Sequence, residues 1–223
     1  MSRGLTFQQG GFYHVYNRGT EKREIFISES DYERFVNLLY LANSAKAIHF
    51  QDYRGLASME LLGLERGNPL VTICAYCLMP NHFHLLLQEH TPGGLSQFIH
   101  KLTTSYTMYF NTKYDRSGAL FEGTFKARDA NEDRYLKYLI SYIHLNPVKL
   151  IEPHWKESGI QNIRRAKAFL NNYPYSSFAD YSGVDRIEKV IITMDALPDY
   201  FADQKDFRTH IFDGLQNGEF IEA

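Results

Sequence analysis

The stretch Leu70-Val71-Thr72-Ile73-Cys74-Ala75-Tyr76-Cys77-Leu78-Met79-Pro80-Asn81-His82-Phe83-His84-Leu85-Leu86-Leu87-Gln88 is two apolar runs broken by a Pro-Asn pair. The first run carries the β-branched residues Val71, Thr72 and Ile73, which suit a pleated surface. Pro80-Asn81 is a tight-turn signal, so the spacing predicts a strand over 70–79, a turn, and a returning strand over 82–88. Side chains alternate along a strand, so His82 and His84 share one face and Phe83 points into the core.

Working outward, Phe12-Tyr13-His14-Val15-Tyr16 reads as a further strand closed by Asn17-Arg18-Gly19. A helix is expected over 31–46, capped by Ser30 or Asp31, with Tyr32, Phe35, Val36, Leu39 and Tyr40 at helical spacing. Residues 47–54 suggest a short strand, and 55–69, rich in Gly, a variable excursion with one helical turn. The clearest helix spans 95–113, where Leu95, Phe98, Ile99, Leu102, Tyr106, Tyr109 and Phe110 fall on one face. A strand over 118–128 and a helix over 131–145, stopped by Pro147, follow. Beyond Glu152 the pattern is irregular, with short helices expected over 195–201 and 205–215. The order β-α-(β)-β-β-α-β-α predicts an α+β fold: a ferredoxin-like, RRM-like sandwich with a central antiparallel sheet flanked by helices. Residues 1–150 would form the main domain and 151–223 a mostly helical C-terminal extension.

Of 223 residues, 44% are hydrophobic and 22% charged, enough apolar material for a core, which excludes global disorder. Two cysteines cannot staple a domain of this size, which points to a reducing compartment. The longest near-apolar run, 70–80, is too short to span a bilayer, and Met1 to Leu5 leads into no apolar signal segment. A cytoplasmic protein is expected. The net charge of −2 excludes a tail-driven polyanion binder. Its distribution is uneven: +2 over 1–24, −3 over 25–98, +3 over 99–149 and −4 over 150–223. This is either scatter or a local basic surface on the first and third windows, where Lys101, Arg116, Lys126 and Arg128 would meet phosphates.

Two imidazoles on one strand face can hold a divalent ion, although such a pair alone reads more often as ordinary surface histidines. The helix over 131–145 offers partners. Tyr142 and Asn146 lie one turn apart beside the apolar stripe Leu136, Leu139, Ile140 and Ile143. Asn146 would add a neutral oxygen ligand suited to Mg²⁺ or Mn²⁺. Tyr142 reads otherwise as one more packing aromatic. Together the four describe attack of a tyrosine hydroxyl on a phosphodiester held by a metal, leaving a covalent phosphotyrosine. Tyr106 and Tyr109 are rival nucleophiles without a polar partner one turn along. Cys74 and Cys77 look like half a zinc site without a second pair. His90, His100 and His144 have no partner by spacing.

These residues resemble a known family. Gly10 to Gly19, Tyr76-Cys77-Leu78-Met79-Pro80-Asn81-His82-Phe83-His84-Leu85-Leu86, Gly118 to Lys126, Tyr142-Ile143-His144-Leu145-Asn146-Pro147-Val148-Lys149 and Tyr173 to Phe178 are similar to the single-tyrosine HUH transposases. The branch they resemble is the REP-associated tyrosine transposases. The resemblance implies metal-dependent cleavage and strand transfer of single-stranded DNA beside a hairpin, by a monomer or a homodimer. His82 and His84 fall on the family's metal ligands, Tyr142 on its nucleophile and Asn146 on a helical third ligand where many relatives carry Gln. Asn17 and Arg18 fall where the family reads a short guide sequence. After Lys149 the chain departs from the family's small, Gly-containing pattern, with Leu150-Ile151-Glu152. Two alternatives stand beside this: a domesticated hairpin-DNA binder with little or no turnover, and an RNA-binding module of the same topology, which would not need the histidine pair.

Overall fold

The computed structural model describes residues 5–47, 53 and 55–217, and over residues 12–145 its strands and main helices follow the expected order with shifted ends. Strand β1 (Phe12–Arg18) leads to α1 (Glu29–Leu41), then to the short α2 (Ser58–Leu62). The hairpin follows as β2 (Val71–Met79) and β3 (His82–Glu89), joined by Pro80-Asn81. Next come α3 (Gly94–Lys113), β4 (Lys126–Asp129) and α4 (Asp133–Leu145). The four strands form one antiparallel sheet in the order β2-β3-β1-β4, the ferredoxin-like arrangement.

The two sheet faces have different fates. Tyr13, Val15, Phe83, Leu85 and Leu87 are buried on the face covered by α1 and α3, where the Phe35 and Phe83 rings lie 5.1 Å apart. The opposite face carries His14, Tyr16, Arg18, His82 and His84 and meets α4. That helix buries Leu136, Leu139, Ile140 and Ile143.

Several ends differ from the sequence reading. Helix α1 starts at Glu29, with Ser28 as its cap residue. Asp31 takes the third helical position, and its Oδ2 accepts from the backbone N–H of Ile27 and Ser28, both at 2.9 Å. The helix stops at Leu41 rather than at 46, because Asn43 turns aside to bind the start of β2: its Oδ1 accepts from Leu70 N and Val71 N. The strand expected over 118–128 shrinks to Lys126–Asp129. Gly118 and Gly123 adopt positive φ (84° and 64°), which breaks the extended run and leaves a single bridge between Phe121 and Gly19. Most of the strand suggested over 47–54 lies outside the described residues.

Residues 151–217 wrap the β2 edge and the outer side of α4. They contain α5 (Trp155–Ser158), α6 (Ile163–Asn172), α7 (Phe178–Tyr181) and α8 (Gln204–Asn217). The helix expected over 195–201 is only a 3-10 turn, Met194–Ala196, because Pro198 withdraws a backbone donor. Residues 173–177 run along β2: Leu78 N donates to Tyr175 O at 2.9 Å and Ser177 N to Tyr76 O at 3.0 Å. The exposed edge of the sheet is thereby covered. His144, on the outer face of α4, packs among Phe178, Tyr181 and Phe207 and shares a 2.7 Å hydrogen bond with Ser177 Oγ.

Candidate active site

Strand register assembles the site. His84 lies opposite Tyr16 of β1, and Tyr16 opposite Lys126 of β4; His82 lies opposite Arg18. Register partners in an antiparallel pair point to the same face, so these five side chains form one patch. The His82 and His84 rings are 5.0 Å apart and nearly perpendicular. Helix α4 brings the Tyr142 ring edge-on to His84 at 5.5 Å. The helix is fixed at its start by Glu132, whose carboxylate accepts from Arg134 N and Tyr135 N at 3.0 and 2.8 Å. Pro147 tightens its end into a 3-10 turn over Asn146–Leu150. A cleft of about 730 Å³ opens between sheet and helix, lined by His82, His84, Tyr142, Tyr16, Lys126 and Lys149 among others.

The imidazoles are held from behind. Asn81 Nδ2 donates to Lys22 O at 3.1 Å, which turns Asn81 Oδ1 toward His82 Nδ1 at 2.6 Å. An amide oxygen can only accept, so His82 carries its proton on Nδ1 and its lone pair on Nε2. His84 Nδ1 faces His14 Nε2 at 2.9 Å, and both rings are buried. Asn146 is buried, and its Nδ2 donates to Tyr142 O at 2.8 Å, which leaves Oδ1 as the acceptor of that amide. Among the described residues, no group of three His, Cys, Asp or Glu side chains is placed to hold a metal. His82 and His84 line the cleft, whereas Asn146, the third ligand the spacing suggests, is buried behind it and is not among the lining residues.

The DNA-contact candidates divide. Asn17, Arg18 and Lys126 line the cleft, as do Lys22 and Lys149, which the sequence reading did not single out. Lys22 arrives through two consecutive residues in the left-handed region, Glu21 at φ 58° and Lys22 at φ 61°. Asn17 is a buried brace: its Oδ1 accepts from Arg18 N at 2.9 Å. The Arg18 guanidinium is paired with the Glu122 carboxylate, and this hydrogen bond holds Glu122 below its ordinary pKa. Lys101 lies on the other side of the sheet. Its ammonium donates to the carbonyls of Ser44 and Lys46 at 2.5 and 2.6 Å, closing the chain beyond α1. Arg116 binds Asn111 Oδ1 at 3.0 Å near the end of α3. Arg128 lies opposite His14 in the β1–β4 register, on the same sheet face as the site, with its guanidinium over the Tyr135 ring at 4.3 Å.

The rival groups have structural work. Tyr106 is fully buried and donates to Ile25 O. Tyr109 donates to Asp31 Oδ1 at 3.0 Å. Cys74 and Cys77 are buried free thiols, and burial pushes Cys74 up to about 12. His14 is a further residue of the site, beside Lys22 and Lys149, that sequence reasoning missed. Its parity with Tyr16 and Arg18 is visible in the sequence, but its contact with His84 depends on the β1–β3 register.

Residues 68–146 match the family described as "Transposase IS200 like", a span that holds β2, β3, α3, β4 and α4 and ends on Asn146. No curated protein matches this chain. A solved structure of a REP-associated tyrosine transposase bound to a REP hairpin is similar over 84% of this chain and 90% of its own, with a TM-score of 0.50 at 12% identity. That likeness establishes the fold.

Proposed function

We propose that this chain, whose residues 68–146 match the IS200-like transposase family, cuts and rejoins single-stranded DNA beside a hairpin, with Tyr142 as nucleophile. The observation that carries the reading is the convergence of Tyr142, His82 and His84 on one cleft from two elements distant in sequence. A single-stranded substrate fits an open cleft rimmed by Lys22, Lys126 and Lys149, where cations meet the backbone without reading sequence.

In this reading Tyr142 Oη attacks phosphorus. The Oη–P bond forms, the P–O3′ bond breaks, and the tyrosyl proton is balanced by the one gained on the 3′ oxygen. A 5′-phosphotyrosine remains. A second 3′ hydroxyl reverses the step and restores the tyrosine, so bond energy is conserved and no nucleotide cofactor is consumed. His82 and His84, with Asn146, would hold Mg²⁺ or Mn²⁺, which supplies Lewis-acid polarisation of the phosphate when bound. The chain's own residues orient the reactants: the α4 stripe fixes Tyr142, and Asn81 fixes the His82 ring.

Incubation with hairpin-bearing single strands and Mn²⁺, with and without chelator, tests the reading. Chelator-sensitive nicking that is lost in His82→Ala supports it. A gel shift without cleavage across Mg²⁺ and Mn²⁺ would instead support the binder with little turnover, and competition by RNA of the same sequence the RNA module.

A further inference from the structure

We propose that His14 is a positioning residue that sets the tautomer of His84 and thereby selects Nε2 as its metal-facing atom; this rests on the metal-binding reading of His84 above. His14 Nε2 and His84 Nδ1 lie 2.9 Å apart. Between two neutral imidazoles one nitrogen must donate and the other accept. If His84 donates, its proton sits on Nδ1 and its lone pair on Nε2. If His14 donates, His84 carries its proton on Nε2 and offers no lone pair there. Only the first arrangement lets His84 act as His82 does, whose Nδ1 is committed to Asn81 Oδ1 at 2.6 Å.

The fold makes His14 suitable for this role. It sits opposite Leu86 in the β1–β3 register and so reaches His84 on the diagonal, on the same sheet face. The two rings are 5.1 Å apart and 26° from parallel. His14 and His84 are 7% and 5% exposed, so water competes little for the shared bond. The His14 ring also meets Tyr142 edge-on at 5.9 Å, so one side chain backs both the ligand and the nucleophile. Metal-bound histidines are commonly oriented by a carboxylate or a carbonyl behind them. Here the buried His14 imidazole takes that place behind His84.

The test is made on the metal-free chain first. Long-range ¹⁵N–¹H correlation of its histidines should show His84 protonated on Nδ1. A His84 protonated on Nε2 would overturn the proposal. Mn²⁺ affinity is then compared among wild type, His14→Phe and His14→Gln, each checked for native fold by its amide spectrum. Phe keeps the ring and removes the acceptor; affinity should fall about 10- to 100-fold. Gln, whose side-chain oxygen still accepts, should recover part of that loss. A folded His14→Phe with unchanged affinity would overturn the proposal. If His84→Ala also leaves Mn²⁺ binding unchanged, the metal reading itself fails, and the tautomer signal alone decides the role of His14.

Discussion

Removal of the Arg186 guanidinium should loosen the whole C-terminal extension. Arg186 binds the buried Asp180 carboxylate through Nε at 2.8 Å and Nη2 at 2.5 Å. The same group donates to Ser176 O at 2.7 Å, Pro174 O at 2.8 Å and Tyr76 Oη at 3.1 Å. It therefore ties α7 to the segment that covers the β2 edge. The Asp180 side chain is 0% exposed and that of Arg186 14%. In Arg186→Ala the carboxylate stays buried without its cation, a loss of about 3–5 kcal/mol. At about 2–4 °C per kcal/mol for a chain of this size, Tm should fall by roughly 6–20 °C. Scanning calorimetry with urea titration measures both quantities. The double variant Arg186→Met/Asp180→Asn should recover part of the loss, because the stranded charge is gone. A single-variant loss under about 1 kcal/mol would refute the reasoning, since it is far below the penalty for a stranded buried charge.

Two pH effects follow from buried groups. Burial alone would raise the Asp31 carboxyl, but hydrogen bonds from Lys113, Tyr114 and the Ile27 and Ser28 backbone hold it down, from 3.8 to about 2. Its contribution, at most about 2 kcal/mol, is complete above pH ~4 and is lost as pH falls toward ~2; acid titration of Asp31→Asn against wild type should show the difference vanish there. Burial holds the His144 imidazole down at about 3, so it stays neutral in the fold and charges near ~6.5 when unfolded. Stability should therefore fall by up to about 1.4 kcal/mol per pH unit below ~6.5, a slope that His144→Gln removes in urea titrations at several pH values. At the cleft, Glu122→Gln releases Arg18 from its carboxylate partner. Single-stranded DNA should bind several-fold more tightly, and the salt dependence should steepen by about one phosphate contact in fluorescence titrations.

The hairpin was legible because two apolar runs flank a two-residue turn signal, and the two-residue spacing put His82 and His84 on one face. Helical spacing likewise placed Tyr142 and Asn146 together before any fold was known. What escaped depended on distance in the chain. The β1–β3 register, which brings His14 to His84, is set by pairing across 70 residues. The α6 helix hides in a run rich in Arg and Asn, where only Ala166 and Leu170 are fully buried. Lys101 illustrates the weakness of charge windows: its ammonium is spent on carbonyls beyond α1, on the side of the sheet away from the cleft. The short β4 follows from two glycines whose positive φ no alternation pattern reveals.

The central claim is that Tyr142 becomes covalently joined to a 5′ phosphate. Peptide mapping by mass spectrometry, after reaction with a hairpin-bearing single strand and Mn²⁺, measures this directly. The expected result is a nucleotide adduct on the peptide containing Tyr142, absent from Tyr142→Phe. An adduct on another residue, or one that persists in Tyr142→Phe, would contradict it.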